Sequence, residues 1–195
     1  MKISAILVVT GASGSGKTTT VRALEARALP GVHCYYFDAV GVPAAAVLER
    51  EFGTAESWQA VTTRTWLDRL AADPDSADIY VLDGQTRPSF VRNAIERVGA
   101  VLVRVVLLDC AAHVRHARLA GPRGQPELSN PRMDCWAAYL RGQADALELP
   151  LIDTTNLGID AAVDALIVHV ERLRTERAAA EQQGGPVRLD AGRLV

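Results

Sequence analysis

The chain has little to staple it and little to steer it. Its three cysteines, Cys34, Cys110 and Cys135, are an odd number with no CxxC pair, two of them in or beside apolar runs, and are expected to be reduced and structural. No histidine or basic residue is placed by sequence to lower a thiol pKa, so thiol catalysis has no support. Charge of one sign is also missing. With 21 Lys+Arg against 23 Asp+Glu and a formal net charge of -2, nothing pulls the whole chain toward nucleic acid or an anionic membrane. Any polyanion site must be local. No run approaches the roughly 20 apolar residues of a membrane span. The stretch Ile3 to Val9 after Met1-Lys2 is short for a signal peptide and runs straight into a motif with chemistry, so a cytoplasmic protein is expected. No internal repeat is evident.

What is present is a 195-residue chain of 20.9 kDa, 49% hydrophobic, enough to bury roughly 70% of its unfolded surface without disulfides or a structural metal. Short apolar runs alternate with stretches of helical periodicity, the pattern of a parallel sheet covered on both faces. Strands are expected at Ile3 to Val9, Val32 to Phe37, Ile79 to Leu82 and Val101 to Leu108, with a weak fifth at Leu151-Ile152. Between them, Val91, Ala94, Ile95 and Val98 recur at helix spacing, as do Trp136, Ala137, Leu140 and Ala144, and Val163, Leu166, Ile167, Val170 and Leu173. Trp58, Val61, Thr62, Trp66 and Leu70 form a further stripe, expected as helix core. Gly121-Pro122-Arg123-Gly124 is a breaker cluster that predicts a flexible loop. From about Glu176 the chain turns polar, which predicts a single domain over 1–175 and a loosely held tail over 176–195.

The first strand runs into Gly11-Ala12-Ser13-Gly14-Ser15-Gly16-Lys17-Thr18, and the residues after it favour helix. This is G-x-x-x-x-G-K-[ST] in its required strand–loop–helix context. Glycine permits positive φ, so successive backbone N–H groups can curl around phosphate at a helix N-terminus. Gly11, Ser13, Gly14, Ser15, Gly16, Lys17, Thr18 and Thr19 are therefore the expected nucleotide-binding residues. Lys17 brings charge to the β- and γ-phosphates, and Thr18 offers a hydroxyl to Mg²⁺. Ile79-Tyr80-Val81-Leu82-Asp83 is an apolar strand ending in a carboxylate, which makes Asp83 the second expected magnesium anchor. The second strand carries Asp38 to the same sheet edge, where a carboxylate could orient or deprotonate an acceptor hydroxyl.

Leu82-Asp83-Gly84-Gln85-Thr86-Arg87-Pro88 resembles the D-G-F-P-R segment of adenylate kinases and related nucleoside monophosphate kinases, departing at Gln85 and Thr86. Taken with the phosphate loop, the chain resembles a P-loop small-molecule kinase. That resemblance implies a three-layer α/β P-loop NTPase fold with a five-stranded parallel sheet of order 2-3-1-4-5. It also implies ATP with Mg²⁺, and a phosphate contact for Arg87. Asp109-Cys110, Arg115, Arg118-Leu119 and Arg123 are similar to the arginine-bearing helix and lid of these kinases, which implies a lid near 113–130 with Arg118 and Arg123 as its catalytic arginines. Ile152-Asp153-Thr154-Thr155-Asn156 is similar to the loop against the adenine base, with Thr155 as the contact, and has no N-K-x-D arrangement for guanine. Asp38 stands where shikimate kinases, gluconate kinases and chloramphenicol phosphotransferases carry an acceptor-binding acid. The segment 42–73, with Trp58, Arg64 and Trp66, matches their acceptor cap. An inward Arg64 would favour an anionic acceptor.

The expected activity is transfer of the ATP γ-phosphoryl group to a hydroxyl of a small molecule: a metabolite, a nucleoside or an antibiotic-like compound. Two other readings share the phosphate loop. A polynucleotide 5′-hydroxyl kinase would need a basic, base-stacking channel, against which the net charge counts. A nucleotide-gated switch or accessory ATPase would hydrolyse slowly with no acceptor.

Overall fold

The computed structural model describes residues 3–73, 78–98 and 101–183. Its chain order is β1 (Ser4–Thr10), α1 (Lys17–Ala26), β2 (Val32–Tyr36), α2 (Ala45–Phe52), α3 (Ala55–Ala71), β3 (Ile79–Asp83), α4 (Pro88–Ile95), β4 (Val101–Asp109), α5 (Ala112–Ala120), α6 (Pro131–Ala146), β5 (Leu151–Asp153) and α7 (Ile159–Gln182), with 3-10 turns at Phe37–Val40 and Pro126–Leu128. The five strands are all parallel in the order β2-β3-β1-β4-β5, the order the resemblance implies. All C-terminal strand ends, and hence Thr10, Asp83 and Asp109, therefore share one edge.

Strand alternation sorts the sheet residues into two cores. Ile6, Val8, Tyr80, Leu82, Val103, Val105 and Leu107 face α3, α4 and α6, where Trp66, Leu67, Leu70, Val91, Leu140 and Ala144 meet them. Ala5, Leu7, Val9, Ile79, Val81, Val106 and Leu108 face α1 and α7, against Val21, Leu24, Val163, Leu166, Val170 and Leu173. Both faces of the central strands are apolar because both are covered, as a parallel sheet requires. The expected α3 stripe is core at Trp66 and Leu70, whereas Val61 is exposed.

Two expectations are corrected. The second strand stops at Tyr36, and Phe37 and Asp38 lie in the following 3-10 turn. The cause is Phe37, whose side chain turns into the core against Trp58 while its carbonyl accepts from Trp66 Nε1 at 3.2 Å. Gly84 makes this possible, since a Cβ there would lie 2.7 Å from the Phe37 Cβ. Arg115, on α5, turns inward. It is buried, donating to Asp134 at 2.6 Å and to the Cys110 carbonyl at 3.2 Å. His116 also meets Asp134, at 2.9 Å.

Second, the polar stretch from Glu176 does not begin a tail: α7 continues to Gln182 with Arg177 and Ala180 buried. Its polar residues serve buried partners. Glu176 pairs with Arg104, a guanidinium buried within β4, and Arg177 donates to Asp78 and Glu181. Removing one member of a buried pair strands the other charge, whereas an apolar isostere relieves that cost. Glu176 is half exposed, so Glu176→Ala is expected to lower stability by about 2 kcal/mol. Adding Arg104→Met should recover most of it, read from urea unfolding midpoints at constant m-value. Equal losses in the single and double variants would show that the pair does not hold the helix end. Residues 184–195 of the expected tail lie outside the described residues.

Candidate active site

The phosphate loop is set by backbone geometry before any ligand is considered. Gly14 has φ +82°, and a Cβ there would sit 2.9 Å from Arg115 Cγ and 3.0 Å from Leu119 Cγ, so both conformation and packing demand glycine. Gly16, also left-handed, caps α1 without any side-chain hydrogen bond, and the first turn holds no acidic residue. The first N–H groups of α1 therefore lack a side-chain cap, the arrangement that binds anions.

Above the loop lies a cavity of about 690 Å³. Gly14, Gly16, Lys17, Thr18, Thr19 and Thr20 line its floor, Arg118, Pro122 and Arg123 one wall, and Thr154, Leu157, Gly158, Ile159 and Ala162 another. The second wall, apolar apart from Thr154, suits a planar base, while the floor suits phosphates. Ser13, Ser15 and Gly11 are absent from the lining. Ser13 Oγ donates to Gln85 Oε1 at 2.9 Å, and the Ser15 hydroxyl is buried in the loop.

Lys17 is buried, with Nζ donating to the Ala12 carbonyl at 3.1 Å. Burial pulls its pKa down, and the carboxylate of Asp83 opposes that shift. Burial conversely raises Asp83, which the Lys17 charge and a hydrogen bond from Thr18 Oγ1 at 2.6 Å oppose. The other carboxylate oxygen, Asp83 Oδ1, is buried with no partner among the described residues. A hydroxyl and a carboxylate side by side, one oxygen still unsatisfied, form the hard-oxygen donor set that Mg²⁺ takes with waters and phosphate. The residues fit that ion.

Asp38 is exposed on its turn, two residues past the register position Tyr36↔Asp83. Its charge acts on both Lys17 and Asp83, raising both pKa values. Arg123 acts on the same two groups in the opposite sense from the exposed Gly121–Gly124 loop, where it also donates to Gln125. Arg118 is differently employed: Nη2 donates to the Thr154 carbonyl at 2.8 Å and Nη1 to Thr154 Oγ1 at 2.9 Å, which ties α5 to the loop after β5. Of the segment 113–130, the helical half is packed through Arg115 and Leu119.

Arg87 faces the cap. Nη1 donates to Gln59 Oε1 at 2.6 Å and Nη2 to Glu56 Oε2 at 3.2 Å, and the guanidinium lies 4.8, 5.1 and 5.6 Å from the ring centres of Trp136, Phe90 and Tyr139. Arg64 points to solvent beside Asp68. The departures at Gln85 and Thr86 have structural work: Gln85 bridges Ser13 to Gln59, whose Nε2 donates to the Gln85 carbonyl at 2.6 Å, and buried Thr86 meets Thr63 and Thr10.

Thr155 does not line the cavity; its hydroxyl accepts from the Ala111 N–H at 2.8 Å. Thr154 lines it instead, donating through Oγ1 to the Ser15 carbonyl at 2.9 Å. Sequence reasoning also missed Gln59, Gln85 and the wall from Leu157 to Ala162. The helix pattern that placed Val163 could have been extended back to that wall, but no local signal marks the glutamines. The three cysteines are unpaired, and burial pushes the Cys34 thiol up to about 12. Among the described residues no helix is long and apolar enough to cross a membrane.

No family model and no curated protein matches the chain. Solved structures do. A gluconokinase from Sinorhizobium meliloti 1021 superposes with a TM-score of 0.58 at 19% identity, covering 90% of this chain and 97% of that one. Shikimate kinase from Acinetobacter baumannii, in complex with shikimate, gives 0.55 at 20%, over 87% and 94%. The tunicamycin resistance protein of Deinococcus radiodurans gives 0.58 at 19%, over 86% and 95%. The chain has the α/β fold of the P-loop small-molecule kinases.

Proposed function

We propose, from the premise of a P-loop kinase fold, that the protein transfers the γ-phosphoryl group of ATP to a hydroxyl of a small molecule. The observations that support this reading are three: the buried Lys17, the Thr18–Asp83 pair with its unsatisfied oxygen, and the exposed carboxylate of Asp38 on the turn after β2, the strand that pairs with β3. The first two suit a nucleotide triphosphate with Mg²⁺. A switch or a simple ATPase has no need of the third.

In this reading the loop N–H groups and Lys17 hold the β- and γ-phosphates, and Arg123 adds charge from the exposed loop. Thr18 and Asp83 would hold Mg²⁺, which would supply charge neutralisation at the phosphate oxygens. Asp38 takes the acceptor hydroxyl proton as the acceptor oxygen bonds to the γ-phosphorus and the bond to the ADP oxygen breaks. Arg118 is a positioning residue, acting through Thr154 on the loop. The cap over 42–73 would correspond to α2 and α3, which reach the segment after β3 through the Gln59–Gln85 hydrogen bond.

The test is ADP formation from ATP and Mg²⁺ across hydroxylated metabolites, nucleosides, antibiotics and 5′-hydroxyl oligonucleotides. A rise of at least about tenfold over acceptor-free hydrolysis with a small-molecule acceptor is expected. A signal with oligonucleotides alone, falling steeply with salt, would move the reading to a polynucleotide kinase. Slow hydrolysis that no acceptor stimulates would favour a switch.

A further inference from the structure

The cavity above the phosphate loop is unequal at its two ends. Of the described residues that line it, four are cations, Lys17, Arg22, Arg118 and Arg123, and none is a carboxylate, in a chain whose net charge is -2. Such a field holds a polyphosphate whatever is attached to it. Lys17 is buried in the floor, and the charge of Arg123 acts on it and on Asp83. Arg22 lies over the Tyr36 ring at 5.7 Å, at the β2 edge of a sheet whose opposite edge is β5.

The wall after β5 is built differently. Leu157, Gly158, Ile159 and Ala162 offer apolar surface to the cavity, with Leu157 38% and Ile159 55% exposed. A flat ring laid over such side chains removes their apolar area from water. The polar groups beside them are already engaged. Thr154 Oγ1 donates to the Ser15 carbonyl and accepts from Arg118 Nη1, both at 2.9 Å, and Arg118 Nη2 donates to the Thr154 carbonyl at 2.8 Å. Main-chain groups are taken too: the Thr154 N–H donates to the Asp109 carbonyl and the Thr155 N–H to the Asp153 carboxylate, both at 2.8 Å, while the Gly158 carbonyl accepts from the Ala162 N–H at 3.0 Å. Asn156, the one side-chain amide in the loop 154–158, is exposed and outside the lining.

Adenine and guanine share their ring faces and an acceptor at N7, and differ in the 6-amino group of one and the O6, N1–H and 2-amino group of the other. Telling them apart takes a hydrogen-bonding group aimed at those edges, which in a site built for it discriminates by about 10⁴-fold or more. Stacking on apolar surface serves either ring, because every base has a π-face. We propose that the donor site takes ATP and GTP alike, holding the phosphate chain by charge and the purine by its face. This rests on the phosphotransferase reading and widens its donor to purine nucleoside triphosphates, while the tolerance itself is a binding property.

The experiment titrates the full chain with the β,γ-imido analogues of ATP and GTP, each with Mg²⁺, and takes dissociation constants from the rise in melting temperature, which needs no turnover. The two constants are expected to agree within about fivefold. Ile159 is exposed and is the first residue of α7, so Ile159→Ala should keep the fold. It is expected to weaken both analogues by the same factor, about threefold. A preference above about fivefold for either base, or an Ile159→Ala loss confined to one analogue or absent from both, overturns the inference. Binding of neither analogue overturns it together with the donor half of the kinase reading. Nucleoside diphosphate formation from ATP and GTP across the acceptor panel separates the two layers. A strong preference for one base with acceptor-dependent turnover would retain the kinase and discard the tolerance. Equal binding without acceptor-dependent turnover would retain the tolerance and discard the kinase.

Discussion

Lys17→Ala is expected to cut ADP formation by about a thousandfold, the loss typical of removing a preorganised charge from a phosphoryl-transfer site. The size of the effect follows from where the ammonium sits. It is buried at the loop floor and hydrogen-bonded to the Ala12 carbonyl, with the charges of Asp83 and Asp38 acting on it. Burial lowers its pKa, a cost to the free protein. Bound phosphate charge would add to the stabilisation that the two carboxylates already give the ammonium. Because the charge is desolvated and fixed beforehand, little reorganisation is needed when negative charge develops on the transferring group. The variant should keep its fold, since Ala12 loses only a side-chain donor. Two measurements check this: steady-state ADP release, and the shift in melting temperature on adding ATP with Mg²⁺, which should shrink along with nucleotide affinity. Retention of turnover within about tenfold would mean that Lys17 is not the phosphate ligand.

Asp38→Asn is expected to lower kcat by about 10²–10⁴ with the true acceptor, the range general-base catalysis supplies. Acceptor-free hydrolysis and nucleotide binding should stay near wild type. The split matters, because Asp38 and Asp83 share an edge and act on the same lysine. Asp83 is buried and bonded to Thr18, so its loss should instead raise the Mg²⁺ concentration needed for half-maximal rate. Asp38 is exposed, so amidation costs no buried partner, and a lowered kcat cannot be ascribed to unfolding. Loss of donor binding in Asp38→Asn, or full turnover, would remove Asp38 from the acceptor chemistry.

Much of this site was legible in the order of residues because the signals are local. A glycine-rich turn between an apolar strand and a helix needs only neighbouring residues to be recognised, and so does a strand ending in Asp83. The five strands showed through because both faces of a covered parallel sheet are apolar, which writes continuous runs such as Ile3 to Val9. Thr154 and Thr155 show the limit. Both are hydroxyls one residue apart, and which of them faces the cavity depends on how the loop leaves β5, where Thr154 N–H bonds the Asp109 carbonyl at 2.8 Å.

Pattern and propensity were thus enough for the strand count, the strand–loop–helix of the phosphate loop and the nearness of Asp83 to it, each resting on contacts among residues close in the chain or on a common sheet edge. Partnership across the fold was settled elsewhere. Arg104 and Glu176 are 72 residues apart, Ser13 and Gln85 also 72, and Arg118 and Thr154 36. A polar run at Glu176 looks the same in sequence whether it trails into solvent or neutralises a buried arginine. An arginine after D-G-Q-T looks the same whether it grips a phosphate or is held by Glu56 and three rings. Burial and charge pairing between distant segments decide these cases, since the cost of an unpaired buried charge depends on what the packed chain brings beside it.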